Sequence, residues 1–209
     1  MQEKPIIIKS GDIKLEGLIH EVPGPRGVVV CHPHPLYGGN MYNNVVEAII
    51  RAYAKRGDST LRFNFRGVGK SEGWHDNGIG EEEDLFYNIK YLRNIGKEEI
   101  DLAGYSFGAW IIAKTIKNKS YHFYGRIIFV SPPINIIDFS FLRYCPLIKL
   151  VLVGQNDEFA NAKKLKEISK IWNPDSTFRI INRTDHFYLG REDQIEKIIM
   201  EFLEKDEVK

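Results

Sequence analysis

Long apolar runs are missing from this chain. No window approaches the roughly 18 consecutive apolar residues of a membrane helix, and the first residues hold only the short run Ile6–Ile8, far from a signal-peptide core. A cytoplasmic protein with no membrane partner is the expectation. Cysteine is scarce as well: Cys31 and Cys145 are too few for a disulfide framework, and a chain of 209 residues can bury enough core to need none, so both are expected as reduced thiols. Charge of one sign is also lacking. The formal net charge of +1 leaves no field to gather nucleic acid or an anionic surface. No repeat, low-complexity tract or Pro/Gly/Ser linker divides the sequence, so a single domain over residues 1–209 is expected, as a monomer or a homodimer.

What is present alternates between strand and helix patterns. Residues 5–10 and 13–22, parted by Gly11 and Asp12, predict an antiparallel hairpin at a sheet edge. The run Gly27–His32 (GVVVCH) is β-branched without polar alternation, which suits a strand buried on both faces of a parallel sheet. Val46, Ile49, Ile50 and Tyr53 then recur at helical spacing within Asn43–Arg56, with Asn43 or Asn44 as cap. Strand Ser59–Phe65, helix Glu81–Asn94, strand Ile100–Gly104, helix Phe107–Lys117 and strand Arg126–Val130 follow. Strand Ile148–Val153, helix Ala160–Trp172, strand Thr177–Ile181 and helix Glu192–Leu203 complete the series. The pattern predicts an α/β fold: a mostly parallel, doubly wound sheet with helices on both faces and right-handed crossovers. Reactive groups in such sheets lie beyond the carboxyl ends of the strands, so a functional motif has to fall there.

Gly104-Tyr105-Ser106-Phe107-Gly108 meets that condition. It matches G-x-S-x-G between a strand and a helix, a sharp turn that lifts the serine clear of the sheet and sets it at a helix N-terminus. A serine hydroxyl needs a base to take its proton, and the base needs a carboxylate to fix its tautomer. His186 and Asp157 each follow a predicted strand, in the chain order Ser106, Asp157, His186. Glu158 is the competing carboxylate, and Asp185 lies too near His186 in sequence to orient it from behind. An oxyanion requires two donors. Phe107 N–H is one; the other belongs to the loop His32–Gly39, where Pro33 and Pro35 have no N–H and where His34 and Leu36 are both candidates.

Two other readings of the same residues are set aside. His32-x-His34 at a strand end resembles the start of a metal site, but the barrels built that way need about 250 residues. His20, His75, His122 and His186 do not supply a second cluster, so His32 and His34 are expected to be structural or pocket-lining. The segment Phe65–Ser71 lacks the spacing of a phosphate loop. Arg66 is expected to tie loops together, Gly67 and Gly69 to permit tight turns, and Cys31 to act as a small core hydrophobe.

Five segments together resemble the α/β-hydrolase superfamily, in particular a compact prokaryotic branch with an HPHPLYGG-x-M loop. They are His32–Met41, Asn64–Gly73 (NFRGVGKSEG), Gly104–Ala109 (GYSFGA), Gly154–Phe159 (GQNDEF) and Asp185–Tyr188 (DHFY). The resemblance implies a Ser106–Asp157–His186 triad, hydrolysis of a carboxylic ester or related acyl compound through an acyl-serine, and no metal or organic cofactor. A thioesterase or peptidase would use the same triad, and a non-catalytic binding protein would share only the fold. The chain departs from many relatives in one place. Where they insert a helical cap after the sixth strand, only Pro132–Pro146 stands here, which implies an open, shallow site. Tyr37, Phe139, Phe141, Tyr144, Phe159, Phe187 and Tyr188 are the aromatic residues expected to line an acyl pocket, where they do not serve as ordinary core.

Overall fold

A computed structural model describes residues 1–118 and 125–206, so His122 lies outside the described residues. Its strands are β1 (Lys4–Ser10), β2 (Ile13–His20), β3 (Arg26–Cys31), β4 (Ser59–Phe63), β5 (Glu99–Tyr105), β6 (Ile127–Val130), β7 (Ile148–Gly154) and β8 (Thr177–Ile181). The helices are α1 (Asn44–Arg56), α2 (Ile79–Asn94), α3 (Phe107–Asn118), α4 (Ala162–Trp172) and α5 (Glu192–Asp206). All eight strands join one sheet in the order β1-β2-β4-β3-β5-β6-β7-β8. The hairpin β1–β2 is antiparallel and meets β4 antiparallel, whereas every pair from β4 to β8 is parallel.

The absence of polar alternation in β3 follows from its place in the middle of this sheet. Val28 and Val30 face a core shared with α1 and α5; Val29 and Cys31 face the opposite core, shared with α2, α3 and α4. Each of these valines is fully buried, a contribution of about 2 kcal/mol apiece. Cys31 behaves as the expected hydrophobe, since complete burial raises its thiol pKa far above the usual range.

Several boundaries differ from the sequence pattern, each because a polar side chain acts across the end. Strand β4 stops at Phe63, two residues before Phe65. Asn64 N still donates to Glu16 O of β2 at 3.0 Å, while its side chain accepts from Met41 N (2.7 Å) and donates to Glu16 Oε1 (2.6 Å), which turns the chain away from β3. Helix α2 begins at Ile79, not Glu81, because the Glu81 carboxylate turns back to accept from Gly78 N (2.7 Å) and Asp76 N (2.9 Å). Helix α4 begins at Ala162, where Asn161 Oδ1 caps Lys164 N at 3.1 Å. At α1 the cap is Asn43, which accepts from Val45 N at 3.0 Å.

Arg66 performs the tying role expected of it. Its guanidinium reaches Asp84 (2.7 Å) and Glu83 (3.2 Å) on α2, while Ser10 of the hairpin donates to the same buried Asp84 at 2.8 Å. Gly67 and Gly69 beside it hold φ of 75° and 58°, the left-handed turns for which glycine suits them. The link between β6 and β7 contains no helix, so no helical cap is inserted there. No helix among the described residues is long and apolar enough to cross a membrane.

Candidate active site

Ser106 stands between β5 and α3 with φ 53°, a left-handed conformation unusual for a residue with a side chain. Two glycines make the turn possible: a Cβ at Gly104 would meet Ala109 N at 2.6 Å, and one at Gly108 would overlap the carbonyl of Cys31 on β3. The backbone is held by Ser106 N donating to Val130 O at 2.9 Å. The hydroxyl is thus aimed by covalent geometry at the end of the sheet, over the N-terminus of α3.

His186 and Asp157 come to it from the β8 and β7 ends. His186 Nε2 is 2.9 Å from Ser106 Oγ, and Nδ1 is 2.9 and 3.0 Å from the two oxygens of Asp157. With Nδ1–H donating to the carboxylate, Nε2 keeps its lone pair for the serine proton. Asp157 is anchored on both oxygens. Oδ1 accepts from Phe159 N (3.0 Å) and Ala160 N (2.8 Å), and Oδ2 accepts from Ser131 Oγ (2.6 Å). Glu158 and Asp185, the competing carboxylates, are exposed, and Asp185 Oδ1 is engaged by Phe187 N at 2.9 Å. The Tyr105 hydroxyl donates to His186 O at 2.7 Å; burial, with the charges of Asp157 and Asp185 adding to it, raises the phenol pKa and keeps that donor protonated.

The loop after β3 separates the two candidate donors. It forms a 3-10 turn, Pro35–Tyr37, whose cap is His34: Nδ1 accepts from Leu36 N at 3.2 Å, and His34 O accepts from Tyr37 N and Gly39 N. Gly38 N is spent on Pro35 O. Leu36, 70% exposed, therefore has no amide free, and the N–H groups of His34 and Phe107 are left without acceptors among the described residues. Their side chains lie together, ring centroids 4.7 Å apart.

His32 is structural, as expected. It is fully buried, donates from Nδ1 to Pro33 O (2.6 Å) and accepts at Nε2 from Phe65 N (3.0 Å), which joins the loops after β3 and β4. Burial outweighs the Pro33 hydrogen bond, and with His34 nearby it pushes the His32 pKa from 6.5 down to about 4. Between those values the unfolded chain takes up a proton that the folded protein refuses. This contribution is full above pH 6.5 and falls away by about 3 kcal/mol as pH drops toward 4. Urea unfolding of wild type and His32→Gln at pH 7 and pH 4.5 measures it: the wild type should lose more stability on acidification, and equal losses would contradict the assignment.

The aromatic candidates divide into two groups. Phe159 packs against the His186 ring at 4.9 Å, and Phe187, 56% exposed, lies at 5.9 Å, so both border the imidazole. Tyr37 is exposed and contacts His34 edge-on at 4.9 Å. The others require correction. Phe139 is buried against Trp172 (5.6 Å) and lines a cavity of ≈ 380 Å³ with Ile134, Ile168 and Trp172, apart from the serine and histidine. Phe141 is stacked beside Phe139 under Lys117, and Tyr144 is exposed. Tyr188 is fully buried and hydrogen-bonded to Ser131.

Sequence reading also missed two neighbours. Ser131 lies one residue beyond β6, the kind of strand-end position that singled out the other three groups. His75, treated as isolated, sits 5.0 Å ring to ring from His34 and 2.8 Å from the buried Glu81 carboxylate. Burial chiefly, then His75, lowers the His34 pKa. No group of three metal-binding side chains occurs among the described residues.

A parallel sheet with an antiparallel entry and a serine at the β5–α3 turn defines an α/β hydrolase. No protein-family model matches the sequence. An uncharacterised protein of Rickettsia prowazekii, RP471, is 36% identical over 202 residues, which cover 91% of this chain and 84% of that one. An α/β serine hydrolase homologue from Coxiella burnetii superimposes with TM-score 0.86 at 33% identity, covering 96% of this chain and 97% of the other. A serine hydrolase without a lid from Xanthomonas campestris superimposes with TM-score 0.87 at 25% identity, covering 98% and 95%. The chain belongs to the α/β-hydrolase superfamily, and the Xanthomonas member with which it shares its fold has no lid.

Proposed function

We propose that this chain, as one domain over residues 1–209, is a serine hydrolase that cleaves a carboxylic ester or related acyl bond in a small-molecule substrate. The observation that carries the reading is the line of hydrogen-bond contacts from Asp157 through His186 to Ser106, 2.9–3.0 Å at each step. Ser106 Oγ attacks the acyl carbonyl as His186 Nε2 takes its proton, and Asp157 stabilises the imidazolium that results. Charge gathering on the carbonyl oxygen is met by the N–H groups of Phe107 and His34. Collapse expels the alcohol, protonated by His186, and leaves acyl-Ser106. Water, deprotonated by His186, then attacks the acyl carbonyl; the bond to Ser106 Oγ breaks, His186 returns the proton to that oxygen, and the acid leaves. The cycle balances with water alone and calls for no metal or organic cofactor.

The test is a panel of p-nitrophenyl acyl esters, acyl thioesters and peptide p-nitroanilides offered to the purified protein. Ester hydrolysis is the expected result, with an initial burst of p-nitrophenol because so good a leaving group makes acylation faster than deacylation and lets the acyl-enzyme accumulate. Turnover of thioesters or anilides alone would reassign the substrate class to thioesterase or peptidase. A folded protein inert to all three would leave a binding protein.

A further inference from the structure

Ser131 and Tyr188 take no direct part in the proposed reaction, yet both are fully buried beside it and both hold left-handed backbone, with φ 46° and 57°. That conformation costs about 1 kcal/mol or more per non-glycine residue, so it persists where surrounding contacts over-determine it. Ser131 is fixed by its own N donating to Leu152 O at 2.8 Å, on the strand that leads to Asp157. Its hydroxyl lies 2.6 Å from Asp157 Oδ2 and 2.5 Å from the Tyr188 hydroxyl.

The proton directions follow from chemistry. An ionised carboxylate only accepts, so Ser131 O–H donates to Asp157; Ser131 Oγ then accepts, so Tyr188 O–H donates to Ser131. Burial, the largest influence on Tyr188, raises its phenol pKa against the opposing hydrogen bonds of Ser131 and the Gly154 backbone, and so keeps the proton in place for donation to Ser131. The contact also completes the anchoring of Asp157. The amides of Phe159 and Ala160 both bind Oδ1, which leaves the carboxylate free to pivot about that oxygen, and Ser131 is the group besides His186 that holds Oδ2.

We infer that Tyr188 and Ser131 form a one-way hydrogen-bond strut that fixes the plane of Asp157 toward His186, and that both are positioning residues for the proposed hydrolysis. The inference rests on the serine-hydrolase reading. Other ionisable groups face the same pair: Tyr105 from β5, whose hydroxyl is bonded to His186 O, and Asp185, which is exposed and bonded to Phe187 N.

The experiment follows the rate of Ser106 labelling by a fluorophosphonate against pH, in wild type, Ser131→Gly, Ser131→Ala and Tyr188→Phe, with folding checked by urea unfolding. Glycine removes the hydroxyl without opposing the positive φ, whereas alanine removes it and keeps the strain. Both Ser131 variants are expected to label about tenfold more slowly, the scale of one hydrogen bond to a charged group. Their rate–pH curves should also move to higher pH, because an Asp157 with fewer donors concentrates its charge and favours the imidazolium. Tyr188→Phe should move the same way by less, since Ser131 still donates. Wild-type rates and curves in folded variants would overturn the strut, and so would a full rate in Ser131→Gly with a loss confined to Ser131→Ala, which would mark a backbone role. Failure of wild type itself to label would overturn the serine-hydrolase reading along with it, so the two failures are distinguishable.

Discussion

Ser106→Ala is expected to lower kcat on any acyl substrate the protein turns over by about 10⁶, the scale seen when an activated serine is removed from a triad that works as a unit. The substitution deletes one oxygen whose partner is His186 Nε2 and leaves the turn intact, because the bond from residue 106 N to Val130 O belongs to the backbone. Alanine tolerates φ 53° no worse than serine. Urea unfolding should therefore be little changed while turnover disappears. Substantial turnover by a folded variant would mean that another group attacks the substrate.

Asp157→Asn is expected to lower kcat by about 10⁴ with KM little altered. Asp157 receives four donors: Phe159 N, Ala160 N, Ser131 Oγ and His186 Nδ1. An amide has one oxygen for them and must turn its NH₂ toward a group that also donates. The least costly escape is for His186 to move its proton to Nε2, which removes the lone pair that should take the Ser106 proton. Glu158→Gln, at an exposed position, should retain wild-type kcat. The reverse outcome, a silent Asp157→Asn and a damaging Glu158→Gln, would reassign the acid.

The parallel sheet was legible because double burial leaves apolar runs without alternation in β3, β6 and β7, and because strand and helix patterns alternate on either side of them; β4 and β5 carry buried polar residues, Thr60, Arg62 and Asp101, within the same sheet. The ends of β4, α2 and α4 were not legible, since they are set by Asn64, Glu81 and Asn161 reaching groups that periodicity does not register. Ser106, Asp157 and His186 stood out because each residue type is suited to its task and each follows a strand. Ser131 obeys the same positional rule, but a serine followed by two prolines has no motif to mark it. Aromatic character alone did not separate Phe159, against the imidazole, from Phe139, against Trp172; only packing does so. Likewise the choice between His34 and Leu36 turns on a 3-10 cap in which one residue's ring consumes the other's amide.

Intact-mass analysis of wild type and Ser106→Ala after exposure to a fluorophosphonate tests the central claim, an activated Ser106, without presuming a substrate. The account predicts one adduct on wild type, mapped to Ser106, and none on the variant. No adduct on folded wild type, or equal labelling of both proteins, would contradict it.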